Sequence, residues 1–443
     1  MSISSNRVLI DGVLKPATIY VEDGKIAKIT TLIDPDSKSY GDLCIIPGLV
    51  DAHVHLNEPG RTEWEGFETG TKAAASGGVT TVIDMPLNAI PPTTTVPNFE
   101  LKLKAAENQC WVDVGFWGGL VPDNIDDLVP LLDRGVRGFK GFLIESGVDE
   151  FPMVTPEDML KAAEALKDTP AVLMFHAEMD CGSCSNPSGS KDPRTYSTFL
   201  DSRPDKWEVD AVQSVCDVGR EYKNSPLKFH VVHLGSGQAV PVVEKAQKED
   251  VKITAETCFH YLTLSSEKVP DGNTLYKCCP PIRNTDNQRS LWEAIKKNVI
   301  TTVVSDHSPC TPNLKQLDIG DFNKAWGGIT SLGLGLTLLT TFSDLSLPRI
   351  SELTSLNTAN QAGLKHKGKI AVGYDADFCI FDPDFVWTIN QANTEFKNKF
   401  TPYNKLKVKG KVVQTILRGN TVYENSHVSE TPLGQLITTK REF

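Results

Sequence analysis

Two histidines one residue apart, His53 and His55, close the apolar run Leu49-Val50-Asp51-Ala52, and the chemistry of this chain is organised around them. On a β-strand, residues i and i+2 leave the same face. Both imidazoles would therefore project together past the strand's carboxyl end, before Pro59-Gly60 turns the chain away. Two neighbouring imidazoles form a metal-ligand pair, although a lone His-x-His is equally compatible with a hydrogen-bonded core feature. Further candidates end other apolar runs: His176 follows Ala171-Val172-Leu173-Met174-Phe175, and Asp306 follows Thr301-Thr302-Val303-Val304-Ser305. In Phe229-His230-Val231-Val232-His233 the two histidines lie on opposite faces, so one faces inward, and His233 at the run's end is the expected one. Four imidazoles and a carboxylate suit a borderline ion such as zinc, with room for two ions. Asp306 could also move a proton.

Two cations held close together need an anionic bridge, and no Asp or Glu ends the fourth apolar run. Lys140 stands there, in Arg137-Gly138-Phe139-Lys140-Gly141-Phe142. Burial would depress its pKa and leave a nucleophilic amine. Such an amine can take up carbon dioxide as a carbamate, which offers two oxygens. A snorkelling lysine is the other reading of the same position.

These residues need a scaffold that brings strand ends to one place. Apolar runs at 49–53, 79–85, 111–117, 136–142, 171–176, 228–233, 252–257 and 300–305 alternate with helical patterns, several closed by Gly, Asn or Pro. Eight βα repeats predict a TIM barrel, whose catalytic residues sit at the carboxyl ends of its strands. Short strand-like runs before Pro47 and after residue 377 predict a small β-sandwich domain made by both termini. The expected division is 1–46, 47–365 for the barrel, and 366–443. A helix is expected over the Gly-rich stretch 326–339, and the loop 183–192 is expected to be a mobile insertion.

The chain has 443 residues, 40% hydrophobic and 23% charged, which is enough for a large barrel and a smaller domain. Its net charge of −11 disfavours nucleic acid as a partner. No stretch resembles a leader or a membrane span, so a cytoplasmic protein without membrane contact is expected. The ten cysteines are scattered like buried hydrophobes of a reducing compartment, and Cys181-Gly182-Ser183-Cys184 is a lone CxxC without a second pair. Asp306-His307-Ser308 is not a catalytic triad, because sequence neighbours rarely form one. Gly235-Ser236-Gly237 reads as a βα turn rather than a phosphate cradle.

His53-x-His55, Lys140, His176, His233 and Asp306, taken in order, resemble the binuclear-metal pattern of the amidohydrolase superfamily, and specifically of its cyclic amidases. The likeness extends through Glu256-Thr257-Cys258-Phe259-His260-Tyr261-Leu262, Cys279-Pro280-Pro281-Ile282-Arg283 and 367–378. The stretches 55–61, 64–71, 85–88 and 324–329 are most similar to the allantoinase branch. Dihydroorotases carry an arginine where this chain has Asn57, and hydantoinases a serine where it has Cys279. A neutral amide suits a neutral hydantoin ring, since a buried guanidinium lacking its carboxylate is costly.

The resemblance implies hydrolysis of a hydantoin ring amide by two divalent ions, expected to be zinc, bridged by a carboxylated Lys140. The ions would activate a water and polarise the carbonyl, with Asp306 as proton shuttle. Asn57, Asn88, Cys279 and Gly328 are the expected substrate contacts, and a homo-oligomer, with a tetramer as the expected size, is implied. Activity on dihydropyrimidine or dihydroorotate rings is the nearest alternative. A non-catalytic scaffold is disfavoured by the full ligand set.

Overall fold

The computed structural model describes residues 1–180, 182 and 192–441. Both cysteines of the Cys181-Gly182-Ser183-Cys184 word and residues 183–191 of the expected insertion lie outside the described residues.

The chain begins with β1 (Ser2–Ile10), β2 (Val13–Glu22), β3 (Lys25–Thr30), β4 (Lys38–Ser39) and β5 (Cys44–Pro47). Asp11-Gly12 and Asp23-Gly24 join the first three strands, with positive φ at all four residues. This is the turn geometry that matches the twist of paired antiparallel strands. After a long excursion the chain returns as β15 (Phe378–Thr388), β16 (Lys407–Leu417), β17 (Asn420–Glu424) and β18 (His427–Val428). β15 pairs antiparallel with β5, Phe378 opposite Pro47, which joins the two termini in one nine-stranded sheet. Its own core gathers Ile3, Val8, Ile19, Ile45, Phe378 and Ile380.

Between these segments lie β6 (Leu49–Val54), β7 (Val79–Asp84), β8 (Asp113–Phe116), β9 (Gly118–Gly119), β10 (Phe139–Phe142), β11 (Val172–His176), β12 (Lys228–Val231), β13 (Ile253–Cys258) and β14 (Thr302–Val304), each followed by helical or looped chain. They form a TIM barrel beside the small β domain. One parallel sheet runs β6-β7-β8 and a second runs β14 through β9 in sequence order. The two sheets join at both seams. Val54 bridges His307 in parallel, and Arg137 N donates to Phe116 O at 2.8 Å. The third strand is interrupted at Trp117, whose indole N–H crosses the barrel to Ala52 O at 2.8 Å.

Helices alternate with the strands where the 3.6-residue pattern predicts them. Pro156–Leu166, for example, is started by a capping box between Thr155 and Asp158. The stretch expected to be helical from 326 is a loop as far as Leu334, and only Gly335–Phe342 is helix. Gly328 and Gly333 hold φ of 144° and 85°, outside helical backbone. No helix among the described residues is long and apolar enough to cross a membrane.

At the amino end of the barrel, where β8 begins, a dense ionic knot ties the barrel to the β domain. Lys367 Nζ lies 2.8 Å from Asp113, 3.0 Å from Asp375 and 2.8 Å from Asp377, and Arg418 pairs with Asp113 at 2.5 Å.

Candidate metal centre

The opposite end carries the predicted residues. His53 is in β6 and His55 stands just beyond it; Lys140 is in β10, His176 ends β11, and His233 and Asp306 each lie two residues past β12 and β14. Parallel strands share a direction, so these positions converge on one mouth. Asp306 Oδ1 lies 3.1 Å from His53 Nε2 and 3.4 Å from His55 Nε2, and Lys140 Nζ is 3.1 Å from the same His53 nitrogen. The His233 ring centre is 5.4 Å from that of His53 and 4.6 Å from that of His176. Ligand atoms of His53, His55 and Asp306 all lie within 4.8 Å of one another.

His233 and Asp306 hold φ of 38° and 42°, a left-handed backbone that such side chains rarely adopt. Backbone of this kind persists where surrounding structure over-determines it. Asn57 and Asn88 also have positive φ, 63° and 67°, which asparagine tolerates better.

Electrostatics favour neutral imidazoles at three of the four positions. Burial pushes His55 down to about 3 and lowers His176 and His233 as well. At His53 burial and Lys140 act in the same direction, but Asp306 and Glu256 outweigh them and raise its pKa. Burial brings Lys140 down to about 8. Asp306 is held well below the carboxylate range: burial opposes this, and His53, by charge and hydrogen bond, with a hydrogen bond from His55, overcomes it.

The set fits divalent ions by its own chemistry. His53 Nδ1 is engaged by Glu256 at 2.5 Å, and His176 Nε2 by Glu178 at 2.7 Å, so each ring keeps its other nitrogen for the mouth. Buried His233 Nδ1 has no partner among the described residues, although a buried polar atom normally finds one. Both ring nitrogens of His230, by contrast, are taken, by Thr254 at 2.7 Å and by Glu256 at 3.0 Å, so His233 is the member of the pair with a nitrogen to spare.

A cavity of about 240 Å³ opens on this centre, lined among others by Asn88, Lys140, His176, His233, Cys279, Asp306 and Gly328. Asn57 does not line it; that residue is buried, with its amide 3.5 Å from Pro309 O. Gly328 is required by close approach, since a Cβ there would lie 2.1 Å from Ser308 O. His307 is structural: its Nε2 meets Glu65 at 3.0 Å and its Nδ1 accepts from the N–H groups of Ser331 and Leu332.

Among curated proteins, this chain is 51% identical over 457 residues to an allantoinase of Saccharomyces cerevisiae, covering 99% of each. A general amidohydrolase family pattern matches residues 44–422. The chain belongs to the amidohydrolase family. It is also 48% identical to a mitochondrial allantoinase of Aquarana catesbeiana, over 82% of this chain and 75% of that one. Among solved structures, the L-hydantoinase (dihydropyrimidinase) of Arthrobacter aurescens superposes with a TM-score of 0.91 at 27% identity, covering 99% of both chains. Amidohydrolases are metal-dependent, and the buried imidazole and carboxylate groups here are the matching feature of this member.

Several groups in this amidohydrolase mouth had no role assigned from sequence. Glu256 sits two residues before Cys258 on the inward face of β13, and Glu178 two residues after His176. An acid at even spacing from an inward residue was the available signal. Arg203 also lines the cavity, from a loop whose path sequence periodicity does not reveal.

Proposed function

We propose that this chain hydrolyses the ring amide of allantoin to give allantoate, using two divalent ions held by His53, His55, Lys140, His176, His233 and Asp306. Convergence of these six side chains on one mouth carries the reading, together with full-length similarity to proteins named allantoinase. When bound, such ions polarise the ring carbonyl and lower the pKa of water. Zinc is the ion proposed, because imidazole and carboxylate donors suit it.

The remaining work falls to the chain's own groups. Asp306, kept ionised by its histidine neighbours, accepts the proton of the attacking water and returns it to the ring nitrogen, a poor leaving group until protonated. Lys140, brought down to about 8, has a substantial neutral fraction near neutrality. That fraction is the form that would take up carbon dioxide, and a carbamate at Lys140 would supply an anion for the ions held here. Asn88, with Cys279 and Gly328, lies where a ureide's donors and acceptors need partners. Asn57 remains a proposed contact through its unpaired Oδ1.

Ring opening of allantoin, hydantoin, dihydrouracil and dihydroorotate, assayed side by side, tests the reading. Allantoin should have the highest kcat/KM, and preference for dihydrouracil or dihydroorotate would overturn it. We further propose a homo-oligomer, a tetramer, to be checked by light scattering. A cytoplasmic setting is proposed from the eight free cysteines described, and fractionation would test it against the mitochondrial name of one relative.

A further inference from the structure

His176 and His233 arrive at the mouth on separate strands, without the sequence proximity that fixes His53 beside His55. What orients them is a buried chain of carboxylates and guanidinium groups. On one side, Glu178 Oε2 accepts from His176 Nε2 at 2.7 Å and from Arg203 Nη1 at 2.5 Å. On the other, Glu208 Oε2 accepts the backbone N–H groups of Gly235 and Ser236 at 2.8 and 2.9 Å, gripping the turn that follows His233. Arg283 links the halves: its Nη2 donates to Glu208 Oε1 at 2.9 Å and to the Arg203 carbonyl at 3.2 Å. Glu178, Glu208 and Arg283 are 0%, 1% and 6% exposed, and the Arg203 side chain, at 21%, is the member that reaches the cavity.

We infer that Glu178, Arg203, Glu208 and Arg283 form a positioning network dedicated to one of the two metal sites, the one served by His176 and His233. A carboxylate on Nε2 fixes the His176 tautomer with its N–H outward and leaves Nδ1 as the donor. Glu208 does the same work on backbone, holding the Gly235 turn so that His233 keeps its left-handed conformation. The His53 and His55 rings are held by Glu256 and Asn88, and Glu256 reaches His233 only at its backbone N–H, at 3.3 Å. Loosening the arginine network should therefore weaken one ion and spare the other. This network role rests on the proposed function only in taking His176 and His233 as ligands.

The test is metal titration of the full chain, stripped and reloaded with Co2+, reading ions bound per chain by elemental analysis and the visible spectrum, without reference to turnover. Wild type should bind two. Glu178→Gln keeps shape but loses charge, and Arg283→Lys, which touches neither histidine, disturbs the link. Each should bind one ion as wild type does and the second roughly 10- to 100-fold more weakly. In a His176→Asn background, Glu178→Gln should cause no further loss. Wild-type affinity for both ions in both variants would overturn the inference, as would equal weakening of both ions. Failure of both variants to fold would make the network a folding element and overturn it too. If the wild type binds two ions but leaves allantoin intact, the proposed function fails while this inference stands.

Discussion

Both ends of the barrel hold buried charged groups and use them differently. At the amino end, Lys367 is encircled by Asp113, Asp375 and Asp377, and Arg418 closes on Asp113, so every charge has an opposite within 3.0 Å. At the carboxyl end, burial brings the Lys140 amine down to about 8, and its hydrogen-bond contact is an imidazole 3.1 Å away. Three imidazoles there are pushed toward neutrality and one of them, His233, leaves a nitrogen unpaired. A satisfied ionic cluster returns its desolvation cost as attachment between domains. A cluster left short of partners is destabilising unless something binds there, and that shortfall marks the functional end.

The sharpest way to break this contrast is to remove Lys140. Lys140→Ala should lose most bound metal and essentially all allantoin hydrolysis, because two cations would be left without a shared anion against their repulsion. A small carboxylic acid added to the assay should restore part of it. Lys140→Arg should not be rescued, since a fixed positive charge fills the same space. Near-normal turnover of Lys140→Ala with metal and no added acid would make this lysine an ordinary core residue.

Next in size is Asp306→Asn. An amide still offers an oxygen but cannot carry a proton, so kcat should fall about 10²- to 10⁴-fold with metal content largely kept. Elemental analysis beside steady-state rates checks it. Retained turnover would remove the shuttle role.

At the other end the expected effect is on stability alone. Lys367→Met leaves buried Asp377 without its cation, while Asp113 keeps Arg418 and Asp375 keeps Lys25, and breaking such a cluster costs on the order of 3–5 kcal/mol. Chemical denaturation should register that loss, while metal content and kcat, measured well below the new melting temperature, stay at wild-type values. A matching fall in kcat would show that the two ends are not separable.

The contrast also explains what was legible in the sequence. Strand ends announce themselves through apolar runs that stop at a polar residue, which is why the residues brought together at the mouth and the barrel strands could be read from periodicity. Pairings across the chain leave no local trace. Lys367 reaches Asp113 over 254 positions and Glu256 reaches His53 over 203, so neither partner was identifiable. The expectation of a helix from 326 failed for a related reason. Its apolar and small residues mimic a helical face, but Gly328 is there to let the backbone approach Ser308 O, a constraint set by a segment from another strand end.

The smallest effect expected is at Asn88, where the comparison can be made within one side chain. Its Nδ2 lies 3.3 Å from His55 Nδ1, and its side chain also lines the cavity, so it could serve the ligand, the substrate, or both. Turning the amide would let Oδ1 accept from an Nδ1–H, freeing His55 Nε2. If Asn88 acts chiefly on substrate, Asn88→Ala removes about one neutral hydrogen bond, on the order of 0.5–1.5 kcal/mol. The apparent KM for allantoin should then rise roughly 2- to 12-fold, that energy converted at 1.4 kcal/mol per decade, with two ions still bound. Metal loss larger than the KM change would reassign Asn88 to holding His55. Unchanged kinetics and unchanged metal would remove it from the site. Asn57→Ala, measured alongside, separates a residue that lines the cavity from one buried behind it, and a larger KM change at Asn57 than at Asn88 would reverse their order as substrate contacts.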